Sequence, residues 1–252
     1  MSTYWRQNAA LSIGKLVLVL SLFTLSLELK VFAVLASISC PLPLEKGTQW
    51  NYEGKVEWTV PSSSKIKSAN IRWTSEVVDS FKGSNLQAVV IRGFPDELAW
   101  YEPGQTPGFC VLFCVSNRVY RLRADGENGA KSLAWRLSKD PRTLPMNAEE
   151  LLEWPLAVGR KWGQEPARDD TWYCWCVENA EVKTLSIKGF TGSRSPKVYQ
   201  LAYRTCPDHQ IMEIVPGLGI VRFVYNHHGT VASADVRLVS FNRPGSSRTK
   251  RN

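Results

Sequence analysis

Histidine is nearly missing from this chain, with three residues in 252. So few imidazoles leave little from which to build a metal centre, and neither a carboxylate nor a cysteine stands at ligand spacing around His227-His228. Asp208-His209 could orient an imidazole as a base, but no G-x-S-x-G elbow or comparable nucleophile turn is present for it to activate. Gly217-Leu218-Gly219 lacks the third glycine and the following helix of a phosphate cradle; a tight turn feeding a strand at Ile220 explains both glycines. Long helical periodicity is almost absent after residue 40, which excludes a bundle. Charge on the body of the chain is also scant. Of the formal +8, residues 1–40 hold three bases against one acid, and 243–252 hold four bases and no acid, leaving +2 elsewhere. That is too little for a groove neutralising phosphates, so no nucleic-acid partner is expected, and no metal or cofactor.

Aromatic side chains are what the chain has in quantity, at 11% with ten tryptophans. From Trp50 to Val60 the even positions are Trp, Tyr, Gly, Val, Trp and Val while the odd ones are polar, an alternation that a strand sorts onto two faces. The lead-in to this strand, Pro43-Leu44-x-x-Gly47-x-x-Trp50, returns 112 residues later as Pro155-Leu156-x-x-Gly159-x-x-Trp162. The expected fold class is therefore mainly β: two pseudo-repeated antiparallel halves forming a curved sheet, half-barrel or sandwich, with one short helix.

Taken in order, Arg6 and Lys15 precede a twelve-residue apolar run from Leu16 to Leu27, the form of a secretory signal; Glu28 and Lys30 interrupt it before a second apolar stretch ends at Cys40. Residues 1–40 are read as signal peptide or membrane anchor. Cys40 is the candidate for lipidation, with cleavage after Ala36 or Ser39 and a retained anchor as alternatives. Residues 41–132 form a first β-rich half, in which the two-sided apolar run Leu86 to Phe94 is a central strand and Phe109–Val115 and Val119–Leu122 a hairpin. Residues 133–154 connect the halves, and Met146 to Trp154, with Asn147 as N-cap and Glu149-Glu150 in the first turn, carries the helix. Residues 155–242 form the second half, with strands near 181–188, 197–205 and 209–215 and a closing hairpin turning at Asn226-His227-His228-Gly229. Residues 243–252 are a disordered basic tail.

The two lead-in motifs, together with Pro216-Gly217-Leu218-Gly219-Ile220-Val221, resemble a class of exported, lipoprotein-like bacterial β-rich proteins of unassigned function, well over 155–241 and more weakly over 43–122. The resemblance implies a shape and a place outside the cytoplasm, secreted or on the outer face of the membrane. It brings no catalytic residue.

Behind an export signal, cysteines can oxidise. Cys110 with Cys114 and Cys174 with Cys176 share a side of their strands, so bridges between strands and across halves are expected among Cys110, Cys114, Cys174, Cys176 and Cys206. Trp100-Tyr101, beside the Pro/Gly loop at 102–108, is the candidate platform for stacking a sugar ring. The leading functional expectation is a non-catalytic domain, associated with the membrane through its N-terminal segment, that encloses an apolar or amphipathic ligand or docks on an envelope partner. A cell-surface polysaccharide-binding module is the alternative, and a hydrolase using Asp169, Asp170, Asp208 or His209 the third.

Overall fold

The structure, a computed structural model, describes residues 40–60, 63–83, 86–163, 171–228 and 232–245. The chain divides into residues 1–39 and 40–252; the signal or anchor reading therefore lies outside the described residues, as do Asp169 and Asp170.

Twelve strands form one antiparallel sheet: β1 (Gln49–Thr59), β2 (Ile66–Lys82), β3 (Leu86–Arg92), β4 (Phe109–Val115), β5 (Arg118–Ala124), β6 (Glu149–Glu153), β7 (Lys161–Gly163), β8 (Cys174–Val182), β9 (Lys197–Arg204), β10 (Asp208–Val215), β11 (Gly219–His227) and β12 (Ala232–Asn242). Its order is β6-β5-β4-β3-β2-β1-β12-β11-β10-β9-β8-β7. Two six-strand meanders thus join edge to edge through β1 and β12. Their outer strands, β6 and β7, lie alongside each other, so the sheet is a nearly closed barrel.

The two lead-in motifs open their meanders with the same geometry. Gly47 and Gly159 adopt left-handed φ of 85° and 86°, the region that favours glycine. Gly47 N–H donates to Val77 O and Gly159 N–H to Val177 O, both at 2.8 Å; Val77 and Val177 donate back to Thr48 O and Arg160 O, both at 2.9 Å. The register of β2 shifts just after Val77 and that of β8 just after Val177. Leu44 and Leu156, and Trp50 and Trp162, are buried in pairs. The tryptophans differ in one respect. Trp50 Nε1 donates to Leu218 O at 2.6 Å, in the turn before β11, whereas Trp162 Nε1 is buried with no acceptor among the described residues.

The even residues of β1 face inward, as the alternation predicts: Trp50, Tyr52 and Val56 are buried and Lys55 is exposed. Their polar atoms end on backbone carbonyls, Tyr52 Oη on Ile220 O at 2.9 Å and, from β2, Trp73 Nε1 on Gly93 O at 2.9 Å. Each such bond is worth about 1 kcal/mol net, and an unmade one costs more. The space between Leu44, Trp50, Tyr52, Ile91, Leu112 and Ile220 is ≈ 30 Å³, about what one water needs. Around it the inward side chains of Trp50, Tyr52, Val56, Trp73, Leu112 and Phe223 are buried in one cluster, which leaves little room at that point for the expected enclosed apolar ligand.

Several expectations about individual elements are corrected. The helix α1 is Gly126–Lys139, placing Ala130, Ala134 and Leu137 against Ala88, Val90, Val111 and Phe113 on the outer face of β3 and β4. Those two strands are consequently buried on both faces. The stretch expected to be helical instead contains β6, because its acids match the arginines of β5: Glu149 is opposite Arg121, and Glu150 pairs with Arg118 at 3.2 Å. Cross-strand charge pairing here overrides helix propensity. Residues 183–187 are irregular, so no separate strand spans 181–188. Arg243, in the stretch expected to be disordered, forms an ion pair with Glu45.

Candidate functional site

An antiparallel meander sends alternate strand ends to opposite ends of a barrel. One end holds the last residues of β3, β5, β9 and β11 and the first of β4, β6, β8 and β10; this end is called the rim. The other end receives the incoming chain. There Gly217 N donates to Pro41 O at 2.7 Å, and Gln87 Nε2 to Leu44 O at 3.0 Å.

A single 3₁₀ segment, Pro95–Trp100, leaves β3 and crosses the rim to meet β11 and β12. It buries Leu98 and Ala99 and leaves Trp100 54% exposed. The expected Trp100-Tyr101 platform is split by this geometry. Tyr101 turns inward and meets Trp58 edge to face at 5.4 Å, while Trp100 faces solvent with its ring 5.0 Å from His227 and 5.7 Å from Tyr225.

Beside Trp100 opens a cleft of ≈ 350 Å³ lined by Asp96, Glu97, Gln105, Arg121 and Arg123. Arg121 organises it. Its side chain is 10% exposed, ion-paired to both Asp96 and Glu149, and lies 5.6 Å over the Phe94 ring. Burial pulls its pKa below the ordinary arginine value. Glu97 accepts from Gly108 N at 2.7 Å, and burial pushes its carboxyl above the usual range. A second cleft of ≈ 380 Å³ runs along the seam between β6 and β7, with Tyr120, Met146, Tyr173, Trp175 and Tyr203 on its walls.

The rim also collects all three histidines. Asp208 is opposite His227 across β10 and β11, and its Oδ1 accepts from His227 Nδ1 at 2.6 Å and Tyr225 Oη at 2.7 Å. Burial pushes Asp208 up, but these hydrogen bonds outweigh it and hold the carboxyl below its ordinary value. Burial and the aspartate raise Tyr225. His228 Nε2 lies 3.5 Å from His209 Nδ1, and Trp172 meets His209 edge to face at 6.1 Å. Burial, then the charges of His228 and Arg204, lower His209. Asp208 thus orients His227 instead of its neighbour His209, and His227 is a half-buried strand residue instead of a solvated turn. Among the described residues no group of three or more His, Cys, Asp or Glu is placed to hold a metal ion, and no helix is long and apolar enough to cross a membrane.

The cysteines do not meet across the halves. Cys110 and Cys114 belong to the interior cluster with Leu112, whereas Cys174 and Cys176 alternate with the inward Trp175 and Val177 and so face the outside of the sheet. Cys206 is exposed and accepts from Tyr173 Oη at 3.3 Å. Cys114 lies instead against Cys40, the lipidation candidate, with 2.9 Å between the sulfurs.

Sequence reasoning named Trp100 as a candidate and did not name the acidic and basic wall of the cleft beside it or the pairing of Asp208 with His227. The arginine alternation in β5, Arg121-Leu122-Arg123, was the available signal for the wall.

No family model matches the chain, and no curated protein matches it. Among solved structures, the chain is similar to a protein of Bacteroides fragilis termed exported, with a YmcC-like fold, at 11% identity and a TM-score of 0.42, over 80% of this chain and 98% of that one. It is likewise similar to a protein of Parabacteroides distasonis termed a lipoprotein, at 11% identity and a TM-score of 0.38, again over 80% of this chain and 98% of that one.

Proposed function

We propose that this chain is an exported, non-catalytic binding domain whose rim takes up a saccharide of the cell envelope. The observation that carries the reading is Trp100, more than half exposed above a cleft walled by Asp96, Glu97, Gln105 and Arg123. A sugar offers an apolar ring face and a fringe of hydroxyls. The indole suits the first, and the carboxylates, amide and guanidinium suit the second. The buried interior cluster argues for a ligand on the rim and against one inside. The basic flank and apolar run of the first 39 residues support export, with the domain secreted or held on the outer face of the membrane by its N-terminal segment.

The test is binding of the full chain, in detergent, to an array of envelope polysaccharides, with Trp100→Ala beside it. Binding by the wild type and a loss of about tenfold in the variant, the size of one lost stacking contact, is expected. A silent array, or a variant that binds like the wild type, overturns the reading.

An envelope protein is the second reading, favoured by the seam, where Met146 is fully exposed beside Tyr173. Met146→Glu would then abolish co-purification of the partner while leaving glycan binding intact.

A further inference from the structure

We propose that Cys40 and Cys114 form a disulfide bond that fastens the incoming chain to β4, and that the Cys40 sulfur is thereby withheld from lipid attachment. The two Sγ atoms are 2.9 Å apart across 74 residues of sequence. A disulfide requires about 2.05 Å, so the sulfurs must close by a little under 1 Å. Cys40 lies in irregular chain, while Cys114 is buried within β4, so that movement falls on Cys40.

The approach is built into the fold. Directly after Cys40 the chain is buried at Pro41, Pro43 and Leu44. Pro41 O and Leu44 O are held by Gly217 and Gln87, and Leu42 packs against the interior cluster. The thiols are also unequal in a useful sense. A hydrogen bond from Cys114 holds Cys40 below the ordinary thiol value, and the same contact together with burial holds Cys114 above it. Cys40, partly open to solvent, is the sulfur that attacks first.

The oxidant is a small or protein disulfide, RSSR. The Cys40 thiolate attacks one of its sulfurs, forming Cys40–S–SR and releasing RS⁻. Cys114 then gives its proton to the released RS⁻, attacks the Cys40 sulfur and releases the second RS⁻, which takes up the proton that Cys40 had lost. Two protein thiols and one RSSR become one S–S bond and two RSH, with the electron pair carried away on the leaving thiolates. Of the other cysteines, Cys174 and Cys176 face the other side of the sheet from Cys114, and Cys206 is exposed. A sulfur in this bond cannot also carry a thioether to lipid.

The chemistry depends only on the geometry; that it happens in cells rests on the export reading. The test treats the full chain in detergent with glutathione disulfide, blocks free thiols with N-ethylmaleimide in denaturant, and maps the peptides by mass. The expected product is a reductant-sensitive peptide pair joining Cys40 to Cys114, absent in Cys40→Ser and Cys114→Ser. Both cysteines recovered as maleimide adducts, or either found bridged to another cysteine, overturns the pairing. The same map on protein taken directly from cells separates the two readings: a linked pair supports both, two free thiols with linkage formed in vitro counts against export alone, and a lipid mass on Cys40 overturns the claim about lipid.

Discussion

Asp208 stands opposite His227 in the ladder between β10 and β11, and one of its oxygens accepts from the imidazole and from the Tyr225 hydroxyl together. The carboxylate therefore ties two residues of β11 to the start of β10, next to the ring of Trp100. Hydrogen bonds to a charged acceptor contribute about 1.5–3 kcal/mol, and removing the acceptor strands both donors. Asp208→Ala is expected to lower stability by about 2 kcal/mol and Asp208→Asn by about half of that, since the amide oxygen retains one acceptor. The midpoint and slope of urea unfolding measure both. An unchanged midpoint in the alanine variant would mean that the network adds nothing.

Acid should act on this rim in two stages. Folding lowers the pKa of His209, chiefly by burial and then through the charges of His228 and Arg204, against the opposing pull of Asp208 and Glu178. The unfolded chain therefore binds a proton at His209 first. The associated stability is fully present above the ordinary histidine value of 6.5 and is lost as pH falls through the lower folded value. Asp208, also lowered, contributes stability that is present above its ordinary 3.8 and is lost only below that, as the folded carboxylate protonates. Melting temperatures should be flat from about pH 8 to about 7 and decline from about 6.5 downward. His209→Gln, which cannot take the proton, should flatten the first part of that decline. An equal slope in the variant would move the cause elsewhere.

The barrel was legible where alternation is strict. In β1 the pattern runs from Trp50 to Val60 without a break, and the lead-in motif recurs with its glycine intact, because a left-handed φ at Gly47 and Gly159 leaves few other residues acceptable. The elements that sequence reasoning misplaced are those where a neighbour decides. Glu149-Glu150-Leu151-Leu152-Glu153 favours a helix in isolation and becomes β6 only beside Arg118 and Arg121. In α1 the spacing of Ala130, Ala134 and Leu137 was visible, but Gly126, Gly129 and an exposed Trp135 obscured its one apolar face. The rim was less legible again. Counting back from the turn at Pro216 would set Asp208 against Asn226, and a one-residue bulge between Glu213 and Ile214 shifts it to His227. A bulge shifts the register by one, and its trace in the sequence is only the adjacent apolar pair Ile220-Val221, both buried in the interior cluster, so the pair at the centre of the rim was not read from spacing.

Arg121 gives the sharpest test of how the cleft beside Trp100 is held. Its guanidinium joins Asp96 of the 3₁₀ crossing to Glu149 of β6, and all three side chains are largely removed from water except Glu149, which is partly open. Replacing the arginine alone leaves two carboxylates facing each other with their counterion gone. Breaking a buried pair in this way costs about 3–5 kcal/mol, whereas replacing the whole set with neutral groups of similar size is often tolerated. Arg121→Met should therefore lower the urea midpoint strongly, and Arg121→Met combined with Asp96→Asn and Glu149→Gln should recover most of the loss. Failure of the triple variant to recover would assign the arginine's worth to its packing over Phe94 and to nothing ionic. If it does recover, the variant also separates fold from recognition, because it keeps the 3₁₀ crossing in place while stripping charge from the wall that a saccharide's hydroxyls would meet.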